Sequence, residues 1–214
     1  MALSKVNFNS MNVTPAASKA IKFNSSNNGL ETGDIGGSLV LISEQTASSS
    51  ANISFTSGID STYKEYQFHF INIHAQTDDT FGTFQASTDG GSNYNTTATT
   101  TFFQAKHDEA DSATSLSYSS SLDFAQSTSF LYIQQPLGAD ADQSFSGTMH
   151  LFNPSSTTFV KHFISRINGI AHNDRTNDNF VAGYFNTTSA INAVQFKISS
   201  GNIDSGTIKM YGVT

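Results

Sequence analysis

The chain has no cysteine, no tryptophan and only three prolines, and charged residues make up 13% of its 214 positions. Without cysteine there is neither a disulfide framework nor a thiolate metal site, which fits assembly in a reducing cytosol. No run approaches the ~18 apolar residues of a membrane-spanning helix, so no membrane insertion is expected. The opening MALSKVNFNS lacks the apolar core of an export signal. Basic residues number 10 against 17 acidic ones, for a net charge of −7, and they form no run. That argues against binding nucleic acid through its phosphates. Helical spacing is also missing: no window repeats apolar residues at i, i+3, i+4 and i+7 among Ala, Leu, Glu and Lys.

Catalytic signatures are equally sparse. There is no G-x-S-x-G elbow, no HExxH, no phosphate loop and no dinucleotide fingerprint. The only glutamates are Glu31, Glu44, Glu65 and Glu109. Glu65, beside Lys64, is expected at a strand edge, where charge blocks pairing. A glycan-cleaving enzyme needs two placed carboxylates, and nothing in the spacing supplies them. The expectation is a protein without catalytic residues, cofactor or metal.

What the chain does have is 18 Phe and 7 Tyr set among abundant Ser, Thr and Asn. Such a composition suits strands with an apolar inner face and a hydroxyl-rich outer one. SLVLI (38–42) reads as a short buried strand, and ANISFTS (51–57) alternates through Ile53 and Phe55. YKEYQFHFINIHAQ (63–76) is the strongest strand. Tyr66, Phe68 and Phe70 share one phase and Ile71 and Ile73 continue in another, which predicts a β-bulge near Phe70–Ile71. FGTFQAS (81–87), TTTFFQAK (99–106), SFLYIQQ (129–135), SFSGTMHLF (144–152), TTFVKHFISRI (157–167) and NFVAGYFN (179–186) follow. SLSYSSSL (115–122) fits a strand or a loop. INAVQFKIS (191–199) and TIKMYGV (207–213), separated by a turn from Gly201 to Gly206, read as a closing hairpin. Pro136 and Pro154 fall in turns. The fold is expected to be all-β: an antiparallel β-sandwich of jelly-roll type, with about ten strands and an extended N-terminal arm. Residues 1–37 read either as a loosely attached terminus or as that arm or attachment segment, with Val6, Phe8, Val13, Ile21 and Phe23 spaced through a polar segment as docking on a neighbouring subunit requires. Residues 38–214 form the sandwich.

Few constellations point to chemistry. Ser87, Asp89, Gly91 and Tyr94, in STDGGSNY, have the spacing of an Asp-box, a structural hairpin turn. The acidic clusters Asp78–Asp79, Asp108–Glu109–Asp111, Asp140–Asp142 and Asp174–Asp178 are expected in turns. They read as solvated carboxylates, since calcium needs six to eight converging oxygens; Asp140 and Asp142 are the best of them. Of the six histidines, His69 and His150 fall on the polar phase of their strands, as surface or inter-subunit residues. Tyr94, beside Asn93 and Asn95, and Tyr184, beside Asn186, are candidate glycan contacts, because sugars stack on aromatic rings and bond to amides.

Four segments resemble a family of tailed-phage virion proteins common in marine phages: NISFTSGIDSTYKEYQFHFINIH (52–74), STDGGSNYN (87–95), HLFNPSSTTFVKHFIS (150–165) and SSGNIDSGTIKMYG (199–212). NTTSAINAVQFK (186–197) extends the last. The resemblance implies a virion component with a jelly-roll-like body and supplies no functional residues. It implies a structural protein on the particle's exterior, a capsid decoration or cement or a short tail appendage. The alternative is a tail-fibre adhesin that recognises a host surface glycan. The implied partners are further copies of the chain, as a homotrimer, and other virion proteins. The implied location is the virion, assembled in the host cytoplasm.

Overall fold

The computed structural model describes residues 19–26, 28–34 and 38–214. The segment ending at Ser38 and the body Leu39–Thr214 are separate compact units. In the first, β1 (Lys19–Phe23) and β2 (Leu30–Asp34) pair antiparallel, from Lys19↔Asp34 to Phe23↔Leu30. Asn24 organises the turn: its N–H donates to the Gly29 carbonyl at 2.9 Å, and its side-chain oxygen accepts the Asn28 N–H at 3.2 Å. Over residues 19–34 the segment expected as an extended arm is thus a hairpin, with Phe23, Ile21 and Leu30 exposed. Val6, Phe8 and Val13 lie outside the described residues.

The body is built of strands alone. They are β3 (Leu39–Ser50), β4 (Ile53–Phe55), β5 (Glu65–Ala75), β6 (Gly82–Ser87), β7 (Ala98–Asp108), β8 (Thr114–Tyr118), β9 (Leu131–Tyr132), β10 (Phe145–Phe152), β11 (Lys161–Ala171), β12 (Arg175–Phe185), β13 (Ala193–Ile198) and β14 (Ile203–Val213). An eight-stranded sheet runs β3-β14-β5-β10-β11-β12-β7-β8, and a four-stranded sheet runs β4-β13-β6-β9. Every pairing in both is antiparallel. The architecture is a β-sandwich, as expected. A jelly roll divides eight strands between its two sheets; here eight lie in one sheet and four in the other.

Alternation puts the phenylalanines between the layers. Phe84 of β6 meets Phe163 of β11 at 4.9 Å, and Phe196 of β13 meets Phe68 and Phe70 of β5 at 5.2 and 5.1 Å, all edge to face. Each of these rings is at most 2% exposed. Burying such a side chain contributes about 1.5–3 kcal/mol, and the edge-to-face geometry adds to that.

Several expectations are corrected by sheet membership. The C-terminal pair is not a hairpin: β13 joins β4 and β6 in the small sheet, while β14 inserts between β3 and β5 in the large one. The turn after Ile198 is therefore a corner between layers, and Gly206 lies inside β14 with φ +116°. The Asp-box turn is likewise not a hairpin, since β6 and β7 belong to different sheets. SLVLI is not buried. Leu39, Val40 and Leu41 are 42%, 39% and 50% exposed, because β3 is an edge strand that the small sheet does not cover at this end. Glu65 sits not at an edge but on an interior strand, between Phe152 and Val213. The bulge in β5 is present one residue beyond its expected place: the pairing with β10 slips between Phe70 and Ile73, and Asn72 takes φ +49°. Ile71 is consequently exposed while Ile73 returns to the core.

Candidate functional site

The face of the eight-stranded sheet turned away from the small sheet carries a continuous pattern that the register defines. One row of side chains crosses every strand: Tyr118, Phe103, Phe180, Arg166, Thr148, His69, Lys209, Glu44. At one end it is aromatic. Phe103 and Phe180 stack at 4.8 Å with their planes 2° apart, and the Arg166 guanidinium lies 4.8 Å over the Phe180 ring. Arg166 also bonds Asp178 through two nitrogens, the shorter contact being 2.8 Å, which fixes the guanidinium plane. At the other end Lys209 pairs with Glu44 at 3.0 Å.

The middle of this face is polar. His150 donates through Nδ1 to Glu65 at 2.7 Å, and Gln67 donates to the same carboxylate at 3.0 Å. Burial pushes the Glu65 carboxyl up, but those hydrogen bonds outweigh it and leave the group below the usual carboxylate range. Burial lowers His69, aided by the charges of His150 and Lys209, and its ring lies 4.7 Å from Tyr211. Both histidines are thus on the outer face, where their strand phase put them.

Beside the aromatic end two shallow apolar grooves share Ile164, which is 53% exposed. One, of about 440 Å³, runs along Thr99, Thr101, His162, Ala182 and Tyr184. The other, of about 390 Å³, is lined by Phe103, Arg166 and Phe180. Tyr184 is half-buried there and accepts a long hydrogen bond from Gln126 at 3.5 Å. Tyr94 is placed differently. It sits in the β6–β7 connection with its hydroxyl buried and unpartnered against Gly91, where an added Cβ would come within 2.7 Å. The two tyrosines make no ring contact with each other.

Beyond the aromatic end lies the free edge of the sheet, β8. Its residues Thr114–Tyr118 are exposed throughout and carry no charge, and Leu116 is 75% exposed. Ser119 N–H donates to the Phe102 carbonyl and Asp108 N–H to the Ala113 carbonyl. Odd-numbered residues of this stretch therefore face β7, and Thr114, Leu116 and Tyr118 direct their N–H and C=O groups away from the sheet. Such an edge is a template for another strand. The opposite edge, β3, is interrupted at Ile42, where its register with β14 shifts.

The acidic turns are largely committed to structure. Asp108 accepts from the Ser112 hydroxyl and from the N–H groups of Ser112 and Ala113, which lowers it, the hydroxyl most. Asp111 meets His107 at 3.0 Å, Asp79 meets His172 at 3.3 Å, and Asp174 accepts from Gln143 at 3.2 Å. Asp140 offers its backbone carbonyl to His74, and Asp142 lines an open cleft of about 500 Å³ with His74 and Asp204. Among the described residues no three His, Asp or Glu side chains are placed to hold one metal ion.

Leu116, Phe103, Phe180 and Ile164 were not singled out from the sequence. Their signal was present: each is an apolar residue in the outward phase of its strand. No protein-family model, no curated protein and no solved structure matches this chain.

Proposed function

We propose that this chain is a non-enzymatic structural protein on the exterior of a tailed-phage virion, decorating or cementing the capsid or forming a short tail appendage. The observation that carries this reading is the exposed apolar end of the large sheet. Phe103, Ile164, Leu116 and Tyr118 are 42%, 53%, 75% and 55% exposed, and they run to an uncharged free edge. A solvated monomer rarely leaves such a patch uncovered, whereas a subunit that packs against copies of itself covers it. The edges β3 and β8 are unlike each other. Joined head to tail they give a ring when the rotation between copies closes, the arrangement a homotrimer uses. The other partners in this reading are neighbouring virion proteins, with no nucleic acid and no membrane insertion. The segments resembling marine phage virion proteins supply the particle.

A second reading, a tail adhesin that recognises a host surface glycan, is favoured by one observation, the open groove along Tyr184, Thr99 and Thr101, whose hydroxyls suit a sugar. Tyr94 contributes less to it, because its hydroxyl is buried.

Immunogold labelling of intact virions with antibody to this chain separates the readings. Label over the head or at the tail base is the expected result for a structural subunit. Label confined to the tail tip, with adsorption lost in Tyr184→Ala, would establish the adhesin. Absence of label on particles that contain the chain would count against an exterior position.

A further inference from the structure

Three dipeptides in the chain have the chemistry to close a five-membered imide ring: Asn28–Gly29, Asn168–Gly169 and Asp89–Gly90. In each, glycine has no side chain to shield its backbone nitrogen from the preceding side-chain carbonyl. Closure needs an electrophilic carbonyl, an uncommitted N–H and a backbone that lets the two meet. The fold treats the three dipeptides differently.

Asp89–Gly90 is blocked at both atoms. The Asp89 carboxyl is held down at about 2, by Ser87 foremost and by Asn93, so it is an anion and a poor electrophile. The Gly90 N–H donates to Asn192 Oδ1 at 2.8 Å. Asn168–Gly169 is blocked by its ladder. It lies within β11, paired with β10 on one side and β12 on the other. The Asn168 side chain is exposed, but its Nδ2 donates to Thr176 Oγ1 at 2.8 Å and to the Asn177 carbonyl at 3.3 Å, and Gly169 is buried. Ring closure there would break the pairing of an interior strand.

Asn28–Gly29 is open. It lies in the turn between β1 and β2, outside the last ladder pair Phe23↔Leu30, and Asn28 is exposed. Asn28 Oδ1 accepts from Asn24 Nδ2 at 2.9 Å, a donor placed where negative charge gathers as attack begins. The departing nitrogen, Asn28 Nδ2, and the attacking Gly29 N–H make no hydrogen bond among the described residues.

We propose that Asn28 is a site of spontaneous deamidation, the one of the three dipeptides that the folded chain leaves reactive. The Gly29 nitrogen gives its proton to solvent base and bonds to Asn28 Cγ. The adduct expels Nδ2, which takes a proton and leaves as ammonia. Water then opens the imide at either carbonyl. Opening at Cγ gives aspartate; opening at the main-chain carbonyl routes the chain through Cγ as isoaspartate. Water is the only co-reactant and nothing is oxidised or reduced. Either product adds one negative charge to a chain of net −7. Isoaspartate also adds a backbone carbon to the turn that Asn24 ties through the Asn28 N–H at 3.2 Å and the Gly29 carbonyl at 2.9 Å. The modification stands independently of the virion reading.

The test is incubation of the purified full chain at mildly alkaline pH, folded and in urea, followed by digestion at acidic pH and mass spectrometry. In the folded chain the peptide holding Asn28 is expected to gain one mass unit, with isoaspartate located by fragmentation. It should convert faster than the peptide holding Asn168 by at least about tenfold, because an interior strand must first open whereas the turn reacts as it stands. In urea most of that difference should vanish. Asn28→Gln should abolish the gain in its peptide, since its side chain would have to close a larger ring. Three results would overturn the proposal: no gain at Asn28 in the folded chain, equal rates at Asn28 and Asn168 in the folded chain, or a difference that persists undiminished in urea, which would trace the selectivity to flanking sequence and not to the fold.

Discussion

The Tyr66 hydroxyl closes the loop before β5 on Asp60, accepting the Asp60 N–H at 2.9 Å and donating to the Asp60 carbonyl at 3.0 Å. Tyr66 is fully buried, with Tyr63 edge-on to its ring at 5.9 Å. One side-chain oxygen thus stands in for a backbone pairing that the loop cannot make with a strand. Tyr66→Phe keeps the ring and removes the hydroxyl, leaving both Asp60 groups short of a partner. A loss of about 1–2 kcal/mol is expected. It should appear as a lower urea midpoint at unchanged slope. An unchanged midpoint would mean that solvent replaces the hydroxyl at no cost.

Asp89 organises the β6–β7 corner. Its carboxylate accepts from Ser87 Oγ at 2.6 Å, from the Asn93 N–H at 2.9 Å and from the Asn93 side chain at 2.7 Å. These bonds, that of Ser87 foremost, bring the carboxyl down to about 2. A depressed carboxyl stabilises the fold above its unfolded value of roughly 3.9, and the contribution fades as pH falls toward the folded value. Asp89→Asn should therefore melt below wild type at pH 6, with the gap narrowing between pH 4 and pH 2. A gap that stays constant with pH would show that charge plays no part.

Gly206 and Gly90 both have positive φ, +116° and +74°, but in different surroundings. A Cβ on Gly206 would meet the Asn72 carbonyl oxygen at 2.5 Å and Ile73 Cα at 2.7 Å, at the bulge of β5, whereas one on Gly90 meets nothing within 4 Å. Gly90→Ala bears conformational strain alone, about 1 kcal/mol. Gly206→Ala adds a backbone clash and should cost about 3 kcal/mol or more. Equal losses in chemical denaturation would show that the bulge yields.

The free edge makes a paired test of self-association. Leu116→Pro removes an N–H that points away from the sheet, whereas Ser117→Pro removes one on the β7 side, where Ser117 lies opposite Gln104. Proline is tolerated at an edge only when the lost N–H faces solvent. Leu116→Pro should keep the wild-type melt and sediment as a monomer, and Ser117→Pro should melt lower. Wild-type sedimentation as a monomer, or an assembly untouched by Leu116→Pro, would exclude β8 as the joint.

Much of the fold was legible locally. A strand alternates with period two whatever it pairs with, so Phe68, Phe84, Met149 and Phe196 could be assigned to a core from their own neighbours. The phase slip in β5 was visible for the same reason, and Ser87–Asp89–Gly91 marked a tight turn because its hydrogen bonds span only a few residues. The partner of each strand was not legible. Pairing joins residues far apart in the chain, such as Val213 and Leu39, and a turn sequence does not state whether the next strand stays in its sheet. That is why two expected hairpins proved to be corners, and why SLVLI proved to be an exposed edge. The tertiary structure alone set Lys106 beside Arg175. Their charges were countable from the start, but charge acts through space, and only the ladder between β7 and β12 brings those two together.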